Sequence, residues 1–245
     1  MKSATVAYFK RSHFILGSVR TWRGLKRDVL VLSWLAKRNG QIAAYLKTPG
    51  PKKLQIGTSN NVLEGWLNTD IEPRHQTVTY LDTTRRLPFD DGAFDYILAE
   101  HMIEHIEHSA AEFMLRECFR VLKPGGRLRV ATPDLGVLLA LRSPEKTLDQ
   151  ERYIDWCSQR FAPNAKECRE VFVINNAVRA WGHCFLYDAE TLLSALRASG
   201  FHDVKFYKPG ISDDPNLRGL ESHGKEIGDE GINQFETMVA ECRKD

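Results

Sequence analysis

The sequence has no apolar run approaching the ~18 residues that a membrane-spanning helix requires, no internal repeat and no low-complexity tract. The first of these absences argues against a bilayer-spanning chain. A hydrophobic content of 42% with 27% charged residues fits a globular protein with a full core. The five cysteines (Cys118, Cys157, Cys168, Cys184, Cys242) are odd in number and include no Cys-x-x-Cys pair. With no recognisable secretory leader, they predict free thiols in a reducing, cytoplasmic compartment rather than a disulfide framework. Acid is scarce at one end. Up to residue 53, Asp28 alone stands against twelve Lys and Arg, a net charge of +11, whereas the remainder nets −9 and the whole chain +2.

That asymmetry divides the chain into a basic arm, residues 1–50, and a domain, residues 51–245. In the arm, Leu25, Val29, Leu32 and Ala36 fall on one helical stripe, predicting a helix over 25–38. Leu30 and Trp34 lie among Lys and Arg on the other side. Docking on the acidic body of the protein is the first expectation for this arm, and peripheral contact with an anionic membrane through residues 1–47 the second. Nucleic acid is not expected, because no aromatic stacking platform accompanies the basic residues. Thr48-Pro49-Gly50-Pro51 ends the arm.

From Lys52 onward, short apolar runs alternate with turn signals and helical patterns, which predicts an α/β fold with a doubly wound, mainly parallel sheet of about seven strands. The strands are expected at 53–57, 66–70, 77–81, 94–99, 127–132, 204–207 and 235–242. A helix from Ser109 places Ala111, Met114, Leu115, Cys118, Val121 and Leu122 on one stripe and stops at Lys123-Pro124-Gly125-Gly126, from which the chain reverses into the next strand. A second helix is capped by Asp188 and ends at Gly200. Residues 135–183 read as a helical insertion on the substrate side, and the loop 210–228 as a second substrate-facing segment. The first two strands are linked by only about nine residues, short of the ~10–12 of a full crossover, so the helix there is expected to be a turn or so.

The chemistry is expected at the carboxyl ends of the strands, where open α/β sheets bind ligands. Gly57 closes the first strand, so the turn Gly57-Thr58-Ser59-Asn60 can approach a ligand closely and offer amides or hydroxyls to a carboxylate. Asp70, followed by Ile71, closes the second strand, and its carboxylate can accept from two ribose hydroxyls. Asp82 ends the third strand, where it could receive an adenine amino group.

Lys53-Leu54-Gln55-Ile56-Gly57, Gly65 to Ile71, Leu87-Pro88-Phe89-Asp90-Asp91-Gly92-Ala93-Phe94-Asp95, Glu104-His105-Ile106 and Arg120 to Gly126 together resemble class I S-adenosylmethionine-dependent methyltransferases, with the nearest likeness to the type 11 group. The likeness covers roughly residues 52–134. Phe185-Leu186-Tyr187-Asp188, Gly200-Phe201 and Leu217-Arg218-Gly219-Leu220-Glu221 extend it into the tail. The resemblance implies a Rossmann-like fold with S-adenosylmethionine as cofactor. It further implies Gly57 at the methionine end, Asp70 at the ribose, Asp82 with Thr83 at the adenine, and Glu100 with His101 flanking the cofactor. The glycine loop departs from the family, since Thr58 and Ser59 follow Gly57. Resemblance to type 11 suggests a small-molecule or glycan acceptor.

Methyl transfer asks the protein mainly to hold a nucleophile in line with the methyl group, and a hydroxyl acceptor also needs a base. His105, His101 and His183 are the candidates, with no metal expected. Two other readings compete. His101-Met102-Ile103-Glu104-His105 spells the His-x-x-Glu-His pattern of a zinc peptidase family, in which histidines one helical turn apart bind metal. The glycine-poor loop also fits a non-catalytic binding module.

Overall fold

The computed structural model describes residues 13–245, with side chains from residue 28 onward, and the described chain divides after residue 48 into two compact units. The expected helix over 25–38 is part of a longer one, α1 (His13–Leu46), which stops just ahead of Pro49. Among its described side chains Val29, Leu30, Leu32 and Ala36 are exposed; Leu25 lies outside the described side chains. No described helix is long and apolar enough to cross a membrane.

The second unit is a Rossmann-like, doubly wound sheet. Its seven strands are β1 (Lys53–Ile56), β2 (Leu67–Asp70), β3 (Thr79–Tyr80), β4 (Phe94–Glu100), β5 (Leu122–Pro133), β6 (His202–Tyr207) and β7 (Thr237–Arg243), in the order β3-β2-β1-β4-β5-β7-β6. β1 to β5 run parallel, and β7 lies antiparallel between β5 and β6. The strand order reverses between β1 and β4, which opens a crevice at their carboxyl ends. Leu54, Ile97, Leu98, Leu128 and Val130 are fully buried, as expected of strands covered on both faces.

The helices are unevenly distributed. α2 (His108–Val121) joins β4 to β5 and packs on α6 (Ala189–Ala198), whose N-cap is Asp188. No helix occurs in the links β1–β2, β2–β3 or β3–β4 among the described residues, so the short helix expected after β1 is absent. Asn68 takes over its work: its side-chain oxygen accepts from Leu63 N–H, and its amide donates to the carbonyls of Leu63 and Trp66. The link is thereby hydrogen-bonded without a helical ladder, and Trp66 packs on Leu98 and Leu217.

The turn expected at Lys123 to Gly126 is instead the start of β5. Its residues bulge between the pairs Phe94–Leu122 and Tyr96–Arg127. α2 ends there because Lys244 Nζ donates to the carbonyls of Phe119 and Leu122, capping the last turn from outside the helix. The insertion after β5 forms α3 (Leu135–Ala140), α4 (Leu148–Phe161) and α5 (Glu170–Arg179). Leu138, Tyr153, Ile154, Cys157, Val173 and Ala177 make a satellite core there with Ile232. Two short helices, α7 (His223–Ile227) and α8 (Glu230–Glu236), precede β7.

Two charged clusters hold the loops to the sheet. Arg120 donates to the carbonyls of Leu87 and Phe89 and to Asp91, while Glu117 accepts from Arg120 and from Leu87 N–H. This clamps residues 87–91. Arg129, fully buried in β5, pairs with Glu221 at 2.5 Å and with Glu241, and donates to the Ile211 carbonyl at 2.9 Å. Glu221 also accepts from Gly210 N–H, so the strap 210–222 is tied across the sheet at both ends.

Replacing Arg129 with Met leaves two carboxylates buried without their cation. The expected cost is about 3–5 kcal/mol in urea unfolding, and a loss below about 1 kcal/mol, the scale of a surface pair, would contradict this role. The Arg120 guanidinium, together with burial acting in the opposite direction, holds Glu117 below its ordinary value of 4.5. A depressed carboxylate stabilises the fold fully above that ordinary value, and the contribution is lost as pH falls through the lower folded value. The stability advantage of the native chain over Glu117→Gln should therefore be constant near neutrality and shrink as the solution is acidified below about pH 4.5. A pH-independent difference would count against it.

Candidate active site

The turn after β1 begins with Gly57 at φ +72°, a left-handed conformation that glycine accepts freely. A Cβ at this position would lie 2.6 Å from Met102 Cγ, so the backbone approaches the Met102 side chain closely. The sequence pointed to amides that the turn could offer a ligand, but three of its four amides are bonded within the protein. Those of Gly57 and Thr58 both donate to the Thr69 carbonyl, at 2.9 and 3.0 Å, and that of Ser59 donates to Asp70 Oδ2 at 2.9 Å. What the turn does offer is a hydroxyl: Thr58 Oγ1 is buried without a hydrogen-bond partner, in a residue that lines the cavity described below.

Asp70 sits at the carboxyl end of β2 with its carboxylate turned toward the Gly57 turn. Oδ2 accepts from Ser59 N–H and Oδ1 from Glu72 N–H at 2.8 Å, which leaves each oxygen a second lone pair for a diol. Ile71 beside it is exposed. Asp82 folds back on its own turn, accepting from Thr84 N–H and Thr84 Oγ1 and pairing with Arg85. Thr83 is buried, its hydroxyl 4.0 Å from Met102 Sδ. Met102 thus bridges Gly57 and Thr83, a position that no sequence signal pointed to.

A cavity of about 420 Å³ opens at the carboxyl ends of β1, β4 and β5, beneath the insertion. Of the residues singled out in the sequence, it brings together Gly57, Thr58, Ser59, Glu100, His101, His105 and His183. Asn60, Asp70, Ile71, Asp82 and Thr83 lie outside its lining. Asn61 lines it in place of Asn60 and donates to Glu100 Oε2 and the Leu220 carbonyl. Glu100 Oε1 accepts from the amides of Ser222 and His223, at 2.7 and 2.8 Å, so this carboxylate ties the strap to the Gly57 turn. Burial pushes its pKa up, against those two amides.

His101 follows β4 at φ +44°, an uncommon conformation for a non-glycine residue. Its ring stacks on His223 at 3.9 Å, with Nε2 3.1 Å from Thr237 Oγ1 and Nδ1 3.2 Å from Glu104 Oε1. Burial drags His101 toward the neutral form, but the Glu104 carboxylate outweighs it and its pKa is raised. For Glu104, burial likewise opposes the His101 contact, and the net direction is down. The two form a buried pair in which the imidazole is held from every side. His101 and His105 do not lie one turn apart on an α-helix, because only a 3₁₀ turn, Ile103–His105, follows the strand. The zinc-peptidase geometry is therefore absent.

His105 is exposed at the cavity, with its ring 5.0 Å from that of His183. His183 Nδ1 donates to the Ala177 carbonyl at 2.7 Å, leaving a lone pair on Nε2, and burial lowers its pKa. Tyr153, Trp156, Phe161 and Trp181 from the insertion form an aromatic wall. These residues, with Ser222, His223 and Glu236, were not singled out individually. The only signal was their place in the insertion and in the loop before β7. Cys157 in the same wall has a thiol pushed up to about 12 by burial, so it is protonated at neutral pH.

Residues 36–130 match the family model of the type 11 group, described as "Methyltransferase domain". A demethylmenaquinone methyltransferase of Clavibacter sepedonicus is 28% identical over 176 residues, covering 70% of this chain and 65% of that protein. Another, of Mycolicibacterium gilvum (strain PYR-GCK), is 29% identical over 125 residues, covering 49% of this chain and 48% of that protein. The chain spans less than two thirds of the length of either relative. Among solved structures, a possible histamine N-methyltransferase of Thermotoga maritima aligns over 92% of this chain and 97% of that one, at 16% identity and a TM-score of 0.44. A methyltransferase of Archaeoglobus fulgidus aligns over 87% and 93%, at 15% identity and a TM-score of 0.46. With the family match over residues 36–130 added to the strand-end motifs, the chain is similar, through its methyltransferase domain, to the type 11 group of S-adenosylmethionine-dependent methyltransferases.

Proposed function

We propose that the protein transfers a methyl group from S-adenosylmethionine to a small-molecule or glycan acceptor held in the aromatic-walled cavity. The observation that carries this reading is the Asp70 carboxylate at the end of β2, latched to the Ser59 amide of the Gly57 turn and retaining a free lone pair on each oxygen. The residues fit the cofactor. Asp70 would accept from the ribose hydroxyls, exposed Ile71 would meet the adenine face, and the orphaned Thr58 hydroxyl would find its partner on the methionine side. When bound, S-adenosylmethionine supplies an electrophilic methyl group, so the protein has to position the acceptor rather than activate the donor.

The acceptor side divides into two kinds of surface. Tyr153, Trp156, Phe161 and Trp181 offer flat apolar faces suited to a sugar or aromatic ring. His105 and His183 present imidazoles at the same cavity and are the groups that meet the nucleophilic atom of the acceptor, while His101 is committed to Glu104 and Thr237 and holds its neighbours in place. The names of the two curated relatives carry a quinone precursor, demethylmenaquinone, as their acceptor. A ring-bearing acceptor here is in keeping with the aromatic wall. An acceptor drawn from a membrane would also suit the basic arm of residues 1–47.

Calorimetry with S-adenosylhomocysteine should show one site per chain. Asp70→Asn keeps the shape and removes the charge, so binding should weaken by roughly 10- to 100-fold, the worth of charged hydrogen bonds. No binding to the native chain, or an unchanged affinity in the variant, would contradict the proposal. With labelled methyl donor, transfer to at least one compound among sugar nucleotides, lipid-linked saccharides and quinone precursors is expected. It should fall at least tenfold in Trp181→Ala, whose ring forms part of the acceptor wall only.

A further inference from the structure

We propose that Glu104, His105 and His183 bind one divalent transition-metal ion at the acceptor side of the cavity, with Zn²⁺ the best chemical match. One potential ligand atom from each residue lies within 4.8 Å of the others. Modest side-chain rotations would bring them to the about 2.0–2.2 Å bonds that carboxylate oxygen and imidazole nitrogen make to zinc. The two segments that supply them are fastened together. The amides of Cys184 and Phe185 donate to the Glu104 carbonyl at 2.7 and 3.2 Å, and Cys184 Sγ donates to the His105 carbonyl at 3.3 Å.

Two independent observations point to a ligand. The Glu104 side chain is entirely buried, yet Oε1 makes no hydrogen bond. It stands 3.2 Å from His101 Nδ1 outside hydrogen-bond geometry, while Oε2 accepts from the Thr132 hydroxyl at 3.0 Å. The His101 imidazole offsets its charge, but the oxygen keeps an unfilled hydrogen-bonding position in a fully buried site. Separately, the His183 Nδ1–H bond to the Ala177 carbonyl fixes the tautomer with its lone pair on Nε2, the way metal-binding imidazoles are oriented by a carbonyl on their far nitrogen.

The donor set is nitrogen and oxygen. Cys184 Sγ is hydrogen-bonded to carbonyls, and the Cys157 thiol is held protonated by burial. Two imidazoles and a carboxylate leave an open coordination position, the arrangement of catalytic rather than structural zinc. This ligand set also differs from the His-x-x-Glu-His pattern, since His101 stays outside it and positions Glu104. Resting on the methyltransferase reading, the role of the ion is to hold an acceptor hydroxyl and lower its pKa, so that its proton passes to solvent water as the oxygen takes the methyl group. His105 and His183 then act as ligands rather than as bases.

The full chain, stripped with a chelator, should take up one Zn²⁺ per chain in a calorimetric titration with a Kd tighter than about 1 µM. Co²⁺ in its place should give visible d–d absorption. His105→Ala and His183→Ala should each weaken uptake at least tenfold and remove the absorption, with unfolding midpoints of the metal-free variants matching that of the stripped native chain. His75→Ala, at an exposed histidine in the β2–β3 link, should bind as the native chain does. No uptake, or uptake that both cavity variants retain, overturns the metal site. S-adenosylhomocysteine titrated into the stripped chain separates the two readings. Nucleoside binding without zinc uptake sinks the metal site alone, and zinc uptake without nucleoside binding sinks the transferase.

Discussion

A guanidinium sealed in the middle of a β-sheet organises this protein. Arg129 has no water to solvate it, so its charge must be met by Glu221 and Glu241, and Glu221 belongs to the strap that runs from β6 back over the sheet. Once Glu221 is fixed, the next two amides, of Ser222 and His223, are delivered to Glu100 at the end of β4. Glu100 in turn holds Asn61, which steadies the turn after β1. His223 also places its ring against His101. A single buried ion cluster thereby sets the positions of three sides of the crevice.

The site is built from groups that neutralise one another rather than from groups poised to react. Glu104 faces His101, Glu236 faces His223 and Tyr153, and Asp82 is occupied by its own turn. That leaves Asp70, the Thr58 hydroxyl, one oxygen of Glu104, His105 and His183 as polar atoms with capacity to spare, divided between the two ends of the crevice. Such a division suits methyl transfer, in which the donor brings its own reactivity and the protein supplies alignment.

The sheet was legible in the sequence because short segments carrying buried apolar residues end in turn residues: Leu54 and Ile56 lead into Gly57, Trp66 and Leu67 into Asp70, and Ile97-Leu98-Ala99 closes β4. The start of β5 was not, because Lys123-Pro124-Gly125-Gly126 carries every local signal of a turn. Only pairing with Phe94 and the reach of Lys244 make it part of a strand. In the crevice, Gly57 and Asp70 announced themselves by their places at strand ends. The amides around them did not, since whether they are free depends on the Thr69 carbonyl of the neighbouring strand. Asn61, Met102 and the aromatic wall are set by contacts between segments distant along the chain, and local pattern says nothing of those.

The most direct test is a crystal structure of the chain with S-adenosylhomocysteine bound. Both ribose hydroxyls should lie within hydrogen-bond distance of the Asp70 carboxylate, with the sulfur directed past Gly57 toward the cavity that His105 and His183 line. A nucleoside seated elsewhere, or a ribose that leaves Asp70 untouched, would contradict the account.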